Sequence, residues 1–204
     1  MDTTLIFIRH GQTDWNTSHR LQGQTDVDLN AIGKKQAQQT ARHLRHYPIS
    51  RFIYSPLLRA RQTAQIIGRY HKDSPSVPHD LLKERSFGSA EGMTYEEIAL
   101  SHPALSFDRS WHHPYYQIHK GERLIDVYGR GKEFLHEVLA NHHGVTVCVI
   151  AHCFIIRCMI SYLLDIPFSA NNFFKLKNAS LTIIKLPGQS PAELHVLNHT
   201  VHLD

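Results

Sequence analysis

Cysteine is scarce in this chain, and so are long apolar runs and runs of one charge. The three cysteines are Cys148, Cys153 and Cys158. An odd number without a secretory leader argues against a disulfide framework. No apolar run approaches the roughly 20 residues that a membrane span needs. The chain opens Met-Asp-Thr-Thr and passes directly into a short apolar stretch, without a basic leader. The expected location is therefore the cytoplasm. The formal net charge is +4, yet no basic run reaches five residues and no nucleic-acid motif appears. That balance suits anionic small molecules better than nucleic acid. Internal repeats and low-complexity linkers are absent as well.

What remains is an ordinary globular composition, 42% hydrophobic over 204 residues, enough for one domain spanning residues 1–204. Thr4 to Ile8 reads as a buried strand and 11–29 as a polar loop. Asn30 is placed to cap a helix over 31–46, with Ala37, Ala41 and Leu44 on one face. A short strand at Phe52-Ile53-Tyr54 precedes a helix over 57–71 that turns Ala60, Ala64 and Ile67 inward. Val77 begins another short strand. Residues 94–118, with Pro103, Trp111, Pro114, Tyr115 and Tyr116, read as a helical insertion facing the substrate. A long helix over 122–142 presents Val127, Phe134 and Val138, and Val145 to Ala151 is the clearest buried strand. A helix over 153–164 and strands over 173–177, 180–186 and 192–197 complete the pattern. Alternating strands and helices predict a three-layer α/β sandwich, its mostly parallel central sheet flanked by helices.

The chemistry gathers where strands end. Residues 8–16 read Ile-Arg-His-Gly-Gln-Thr-Asp-Trp-Asn, so Arg9-His10-Gly11 falls at the carboxyl end of the first strand, where α/β folds place ligands. Three partners recur downstream. They are Arg59 in Arg-Ala-Arg-Gln-Thr-Ala, Glu84 in Leu-Lys-Glu-Arg-Ser-Phe-Gly, and His152 in Val-Ile-Ala-His. Phosphoryl transfer needs an in-line nucleophile, donors around the equatorial oxygens and a proton for the leaving oxygen. Neutral imidazole is a nucleophile near pH 7, which fits His10 once a backbone carbonyl holds its other nitrogen. The planar forks of Arg9 and Arg59 suit phosphate. Arg61 lies two residues on and faces elsewhere. His152, between a strand and a helix, is placed to donate to a phosphate oxygen. A catalytic acid must be held protonated. Burial favours that for Glu84 and the arginines oppose it, while an ion pair with Arg85 is the alternative.

This ordered set resembles the histidine phosphatase superfamily, which includes cofactor-dependent phosphoglycerate mutases and many small-molecule phosphatases. The resemblance runs from about residue 4 to the closing Leu-Asn-His-Thr-Val-His-Leu. It implies a phosphoglycerate mutase-like fold and a catalytic set of His10, Glu84 and His152. It further implies phosphate or substrate contacts from Arg9, Asn16, Gln22, Gly23 and Arg59, and from the backbone of Cys153. Glu91 is then structural. Neither a metal nor a cofactor is expected. Gln12 replaces a glutamate common among mutases, and Ser55 to Ala64 looks like the phosphatase branch. Cys153-Phe154 departs from the usual Gly-Gly, Arg123 in Gly121-Glu122-Arg123 from the usual serine, and His199 after Asn198 from the usual aspartate.

The expected activity is metal-independent hydrolysis of small phosphomonoesters through phosphohistidine on His10. A phosphoglycerate mutase and a phosphate-binding regulatory protein with little turnover are the alternatives. The expected partner is a small phosphorylated substrate, with neither nucleic acid nor membrane. The substrate's identity and the oligomeric state stay open. Cys148 and Cys158 read as core residues. Among 17 histidines, the pairs His112-His113 and His142-His143 and those of the tail lack metal-ligand spacing and are expected on the surface.

Overall fold

The computed structural model describes residues 2–101, 113–167, 175–188 and 190–204. One six-stranded sheet organises the chain, in the order β3-β2-β4-β1-β5-β6. The strands are β1 (Thr3–Arg9), β2 (Ile49–Tyr54), β3 (Ser76–Pro78), β4 (Thr146–Ala151), β5 (Leu181–Leu186) and β6 (Glu193–His199). β3, β2, β4 and β1 run parallel, whereas β5 and β6 join antiparallel at one side. The sheet is thus mixed, with a parallel block where the chain crosses over through helices.

β1 shows why its sequence is continuously apolar. Leu5 and Phe7 point to one face, against Val127 and Phe134 of α5 (Leu124–Asn141) and Ile155 and Met159 of α6 (Cys153–Leu163). Ile6 and Ile8 point to the other face. There they meet Ala41 and Leu44 of α2 (Ala31–Leu44) and Ala60, Ala64 and Ile67 of α3 (Leu58–Ile67). A strand buried on both faces leaves no room for alternation. Burying each such side chain contributes about 1.5–3 kcal/mol relative to leaving it exposed. Cys148 and Cys158 belong to these two cores, and none of the three cysteines is in a disulfide.

The predicted elements need four adjustments. The loop over 11–29 contains a four-residue helix, α1 (Asp14–Thr17), closed by reciprocal bonds between Thr13 and Asn16. It is too short for periodicity to reveal. The helix expected over 57–71 stops at Ile67 and tightens into a 3-10 turn at Gly68–Tyr70. Within 94–118, helix is confined to α4 (Tyr95–Ser101), residues 113–118 form turns and bends, and 102–112, with Trp111, lie outside the described residues. Of the strand expected over 173–177, residues 173 and 174 lie outside the described residues and 175–177 are not strand. Lys177 O accepts from Ser180 N in a turn, and two further backbone bonds go to side chains. Leu176 O accepts from Arg9 and Lys177 N donates to Asn198 Oδ1.

Asn30 caps α2 as expected, its Oδ1 accepting from Gly33 N at 2.8 Å. Gly33 also lets the loop after β1 press against the helix start. A Cβ there would lie 2.0 Å from Gln12 O.

Candidate active site

Strand pairing alone brings the two key histidines together. Arg9 pairs with Ala151 across parallel β1 and β4, so His10 and His152, the next residues, emerge side by side. Their ring centroids are 5.1 Å apart. His10 is buried, and its Nδ1 donates to Gly11 O at 2.7 Å. The carbonyl fixes the tautomer, leaving the lone pair on Nε2. Burial first, then Arg59 and Arg9, hold the ring's pKa well below the ordinary 6.5. A neutral imidazole with a free Nε2 is the form that attacks phosphorus.

His152 is fully buried, and its pKa is also held well below 6.5 by burial, Arg59 and His10. Its Nε2 meets Ser55 Oγ at 2.7 Å, while Nδ1 is buried without a partner. Ser55 Oγ accepts from Leu57 N at 3.4 Å. The contact holds the His152 ring whether the hydroxyl donates to Nε2 or accepts from it.

Arg59 lies in the first turn of α3, fully buried without a carboxylate partner in hydrogen-bond reach. Its Nη1 donates to Thr25 O at 2.9 Å and Nη2 to Gly23 O at 2.7 Å, while Nε has no partner. Burial lowers its pKa to about 10, with Glu84 opposing, so the guanidinium stays charged at neutral pH. Arg9 Nη1 donates to Leu176 O at 2.6 Å, and its Nε is likewise buried and unpaired. Two guanidinium groups with unsatisfied donors suit an anion. Arg61 is exposed, as its helix phase requires.

Asn16 Oδ1 accepts from Thr13 N at 3.1 Å and from Asn178 Nδ2 at 3.1 Å. That orientation leaves the Asn16 amide N–H groups for a ligand. Gln22 is buried with Oε1 unpaired. Gly23 sits at φ +50°, where a Cβ would fall 2.0 Å from Glu91 Oε1. Glu91 itself accepts from Gln24 N at 3.1 Å, Phe87 N at 3.0 Å and Thr25 N at 3.0 Å, the structural role expected of it.

Glu84 is buried at the start of α6. Its Oε1 accepts from Arg85 N at 2.9 Å and from Phe154 N at 3.2 Å. No ion pair with Arg85 forms. That guanidinium turns away, donating to Glu122 O at 3.0 Å and Tyr116 O at 2.9 Å.

The cavity these groups share measures about 720 Å³, the size of a small-molecule site. Arg9, His10, Asn16, Gln22, Gly23, Arg59, Glu84 and Cys153 all line it. His152 does not, and stands behind the wall against His10. The sequence reading missed Ser55 and Asn178, which orient His152 and Asn16. It also missed Arg20, Arg157, Lys175 and Lys177 on the cavity wall. A lone surface cation or serine gives no periodic or motif signal, so only the fold assembles them.

A nucleophilic imidazole and paired guanidinium groups at the carboxyl ends of parallel strands define a phosphoryl-transfer enzyme. The chain belongs to the histidine phosphatase superfamily (branch 1), whose profile matches residues 5–199. Phosphoserine phosphatase 1 of Hydrogenobacter thermophilus is 35% identical over 200 residues, 98% of this chain and 93% of that one. The uncharacterized phosphatase PhoE of Bacillus subtilis is 43% identical over 101 residues, 50% of this chain and 52% of that one. Among solved structures, a phosphoserine phosphatase variant from Entamoeba histolytica in complex with phosphoserine superposes with a TM-score of 0.84 at 26% identity, covering 98% and 99% of the two chains. Phosphatase chemistry is the shared character of these relatives. Among the described residues, no helix is long and apolar enough to cross a membrane.

Proposed function

We propose that this chain hydrolyses small-molecule phosphomonoesters through a phosphohistidine formed on His10 Nε2. The supporting observation is the His10 ring, tied by Nδ1 to Gly11 O and held neutral in a cavity walled by Arg9 and Arg59. His10 Nε2 bonds to phosphorus while the bond to the ester oxygen breaks, and Glu84 gives that oxygen its proton. Water then attacks phosphorus, Glu84 takes the water's proton, and the P–N bond breaks to release inorganic phosphate. Arg9, Arg59, the Asn16 amide and the Cys153 backbone N–H hold the equatorial oxygens, and a His152 ring N–H donates to one of them in the transition state. Fixed arginine charge does the work that other phosphatases assign to a metal ion.

Gln22 and Gly23 border the substrate. The chain acts as one domain over 1–204, and the 94–118 segment, represented on the cavity wall by Tyr95, sets substrate choice. Lys175, Lys177 and Arg157 on the same wall favour a substrate with a second anionic group. The phosphoserine named for two relatives is therefore the first ester to try. Cysteines held outside disulfides fit a cytoplasmic setting.

Rapid-quench experiments with [³²P]-O-phosphoserine and [³²P]-3-phosphoglycerate test this reading. An acid-labile phosphoprotein and free phosphate are expected from wild type, and neither from His10→Ala. Turnover by pure His10→Ala at the wild-type rate sinks the mechanism. Isomer formation from phosphoglycerate with little free phosphate makes the chain a mutase, and binding without labelled protein makes it a phosphate-binding protein.

A further inference from the structure

Three imidazoles from distant parts of the chain meet beside the far end of α2. His43 stands in the last turn of α2, His199 ends β6, and His202 lies in the 3-10 turn Val201–Leu203. Ring centroids are 5.0 Å apart for His43 and His202, 5.5 Å for His199 and His202, and 5.6 Å for His43 and His199. One ring nitrogen from each lies within 4.8 Å of the other two. We propose that His43, His199 and His202 form a binding site for one borderline divalent transition-metal ion of the Zn²⁺ class, tying the Val201–Leu203 turn to α2. Two of the three, His199 and His202, are tail histidines and are half-buried here. The spacing rule missed the cluster because its third member comes from α2.

Geometry carries the inference. Imidazoles sharing one ion at metal–nitrogen distances of about 2.0–2.1 Å have ring centroids roughly 5.2–5.5 Å apart. The three observed separations bracket that range. The nitrogens, within 4.8 Å of one another, must draw in to about 3.3–3.5 Å around the ion.

The environment of His202 supplies a second observation. Thr40 Oγ1 lies 3.0 Å from both Gln36 O and His202 Nε2, so the His202 ring is held against α2. Anchoring of a ring by a neighbouring polar group is how histidine ligands are oriented elsewhere. Three nitrogen donors with a free fourth position match zinc-type ions rather than Mg²⁺ or Ca²⁺, which prefer oxygen.

The site adjoins the cavity without using its catalytic residues. Thr200, Leu203 and Asp204 belong to the cavity wall, and Gln39 Nε2 already donates to Leu203 O at 3.1 Å. An ion at the three histidines would fasten this wall more firmly to α2.

The test uses full-length, tag-free protein stripped with chelator. Zn²⁺ is titrated in competition with a chromophoric chelator, and Co²⁺ absorption reports nitrogen coordination. One ion per chain is expected, with affinity falling about tenfold or more in His43→Gln and in His199→Gln. Zn²⁺ should raise the thermal unfolding midpoint of wild type and do so far less in either variant. The His142→Gln/His143→Gln double variant should bind like wild type, which separates this site from the other histidines. Because His43 is exposed, its replacement leaves the core intact and keeps the test decisive. Absence of stoichiometric binding, or equal affinity in the His43→Gln/His199→Gln double variant, overturns the site and leaves three rings that merely pack together.

Discussion

Ser55 Oγ and His152 Nε2 lie 2.7 Å apart, both fully buried, joining the end of β2 to the end of β4. The bond exists because Ser55 N pairs with Ile150 O, extending the β2–β4 ladder one residue past Tyr54. It holds the His152 ring in place beside His10.

Ser55→Ala removes that partner and leaves a buried imidazole nitrogen unsatisfied, which costs about 1–3 kcal/mol. The expected result is a lower unfolding midpoint together with a kcat reduced by roughly 10- to 100-fold, while KM changes little. Steady-state kinetics beside thermal melts check both parts. Ser55→Thr, which keeps the hydroxyl, should recover most of the kcat. An unaltered kcat in Ser55→Ala would remove the positioning of His152 by Ser55 from the mechanism.

Arg59→Lys should behave as a severe change. The guanidinium spans Thr25 O and Gly23 O while keeping Nε for a ligand, and one ammonium cannot replace a planar fork. A fall in kcat/KM of about 100-fold is expected, with weakened inhibition by vanadate and inorganic phosphate. Arg61→Lys, at an exposed position, should leave both measurements unchanged.

Acid should destabilise the protein earlier than its carboxylates would dictate. His10 and His152 have pKa values well below 6.5 when folded, and His202 has one of about 4. Below about 6.5 the unfolded chain binds protons that the folded chain refuses, so stability is full above that value. It is lost as pH falls from there toward the folded values. Denaturant melts at pH 7.5, 6.5, 5.5 and 4.5 should show a progressive decline beginning near 6.5. His10→Asn should flatten the slope. Over the same range kcat/KM should not lose a protonation step near 6.5 assignable to His10, because the ring stays neutral.

Gly33→Ala tests the contact between the catalytic loop and α2. The added carbon would lie 2.0 Å from Gln12 O, a backbone atom, so helix and loop must separate. Overpacking of this kind costs about 1–3 kcal/mol. Because Gln12 and His10 share one loop, the activity should fall along with the unfolding midpoint. A variant with unchanged melting and kinetics would show that the loop yields freely.

Much of the site is legible in the chain itself because its residues sit at punctuation. Arg9-His10-Gly11 and Ala151-His152 follow the two most continuous apolar runs, and Arg59 opens a helix directly after a strand. Such positions announce both the element and its end. Glu84 was harder. Beside Arg85 it looks like a surface pair, yet Arg85 is drawn inward by the Glu122 and Tyr116 carbonyls, and Glu84 is left to the start of α6. The 173–177 segment misled for a related reason. Side chains of Arg9 and Asn198 took the backbone bonds that a strand would have used.

The sequence by itself determined the apolar periods, the helix cap at Asn30 and the types of residue available for phosphoryl chemistry, because these depend on neighbours within a few positions. Tertiary structure decided which of them meet. Parallel pairing of β1 with β4 set His10 against His152, the Gly11 contact chose the His10 tautomer, the Ser55 contact held the His152 ring, and burial lowered the pKa of both. Packing of the Val201–Leu203 turn on α2 likewise gathered His43, His199 and His202. Tautomer, protonation and ligand geometry depend on atoms far apart in the chain, and no local pattern records them.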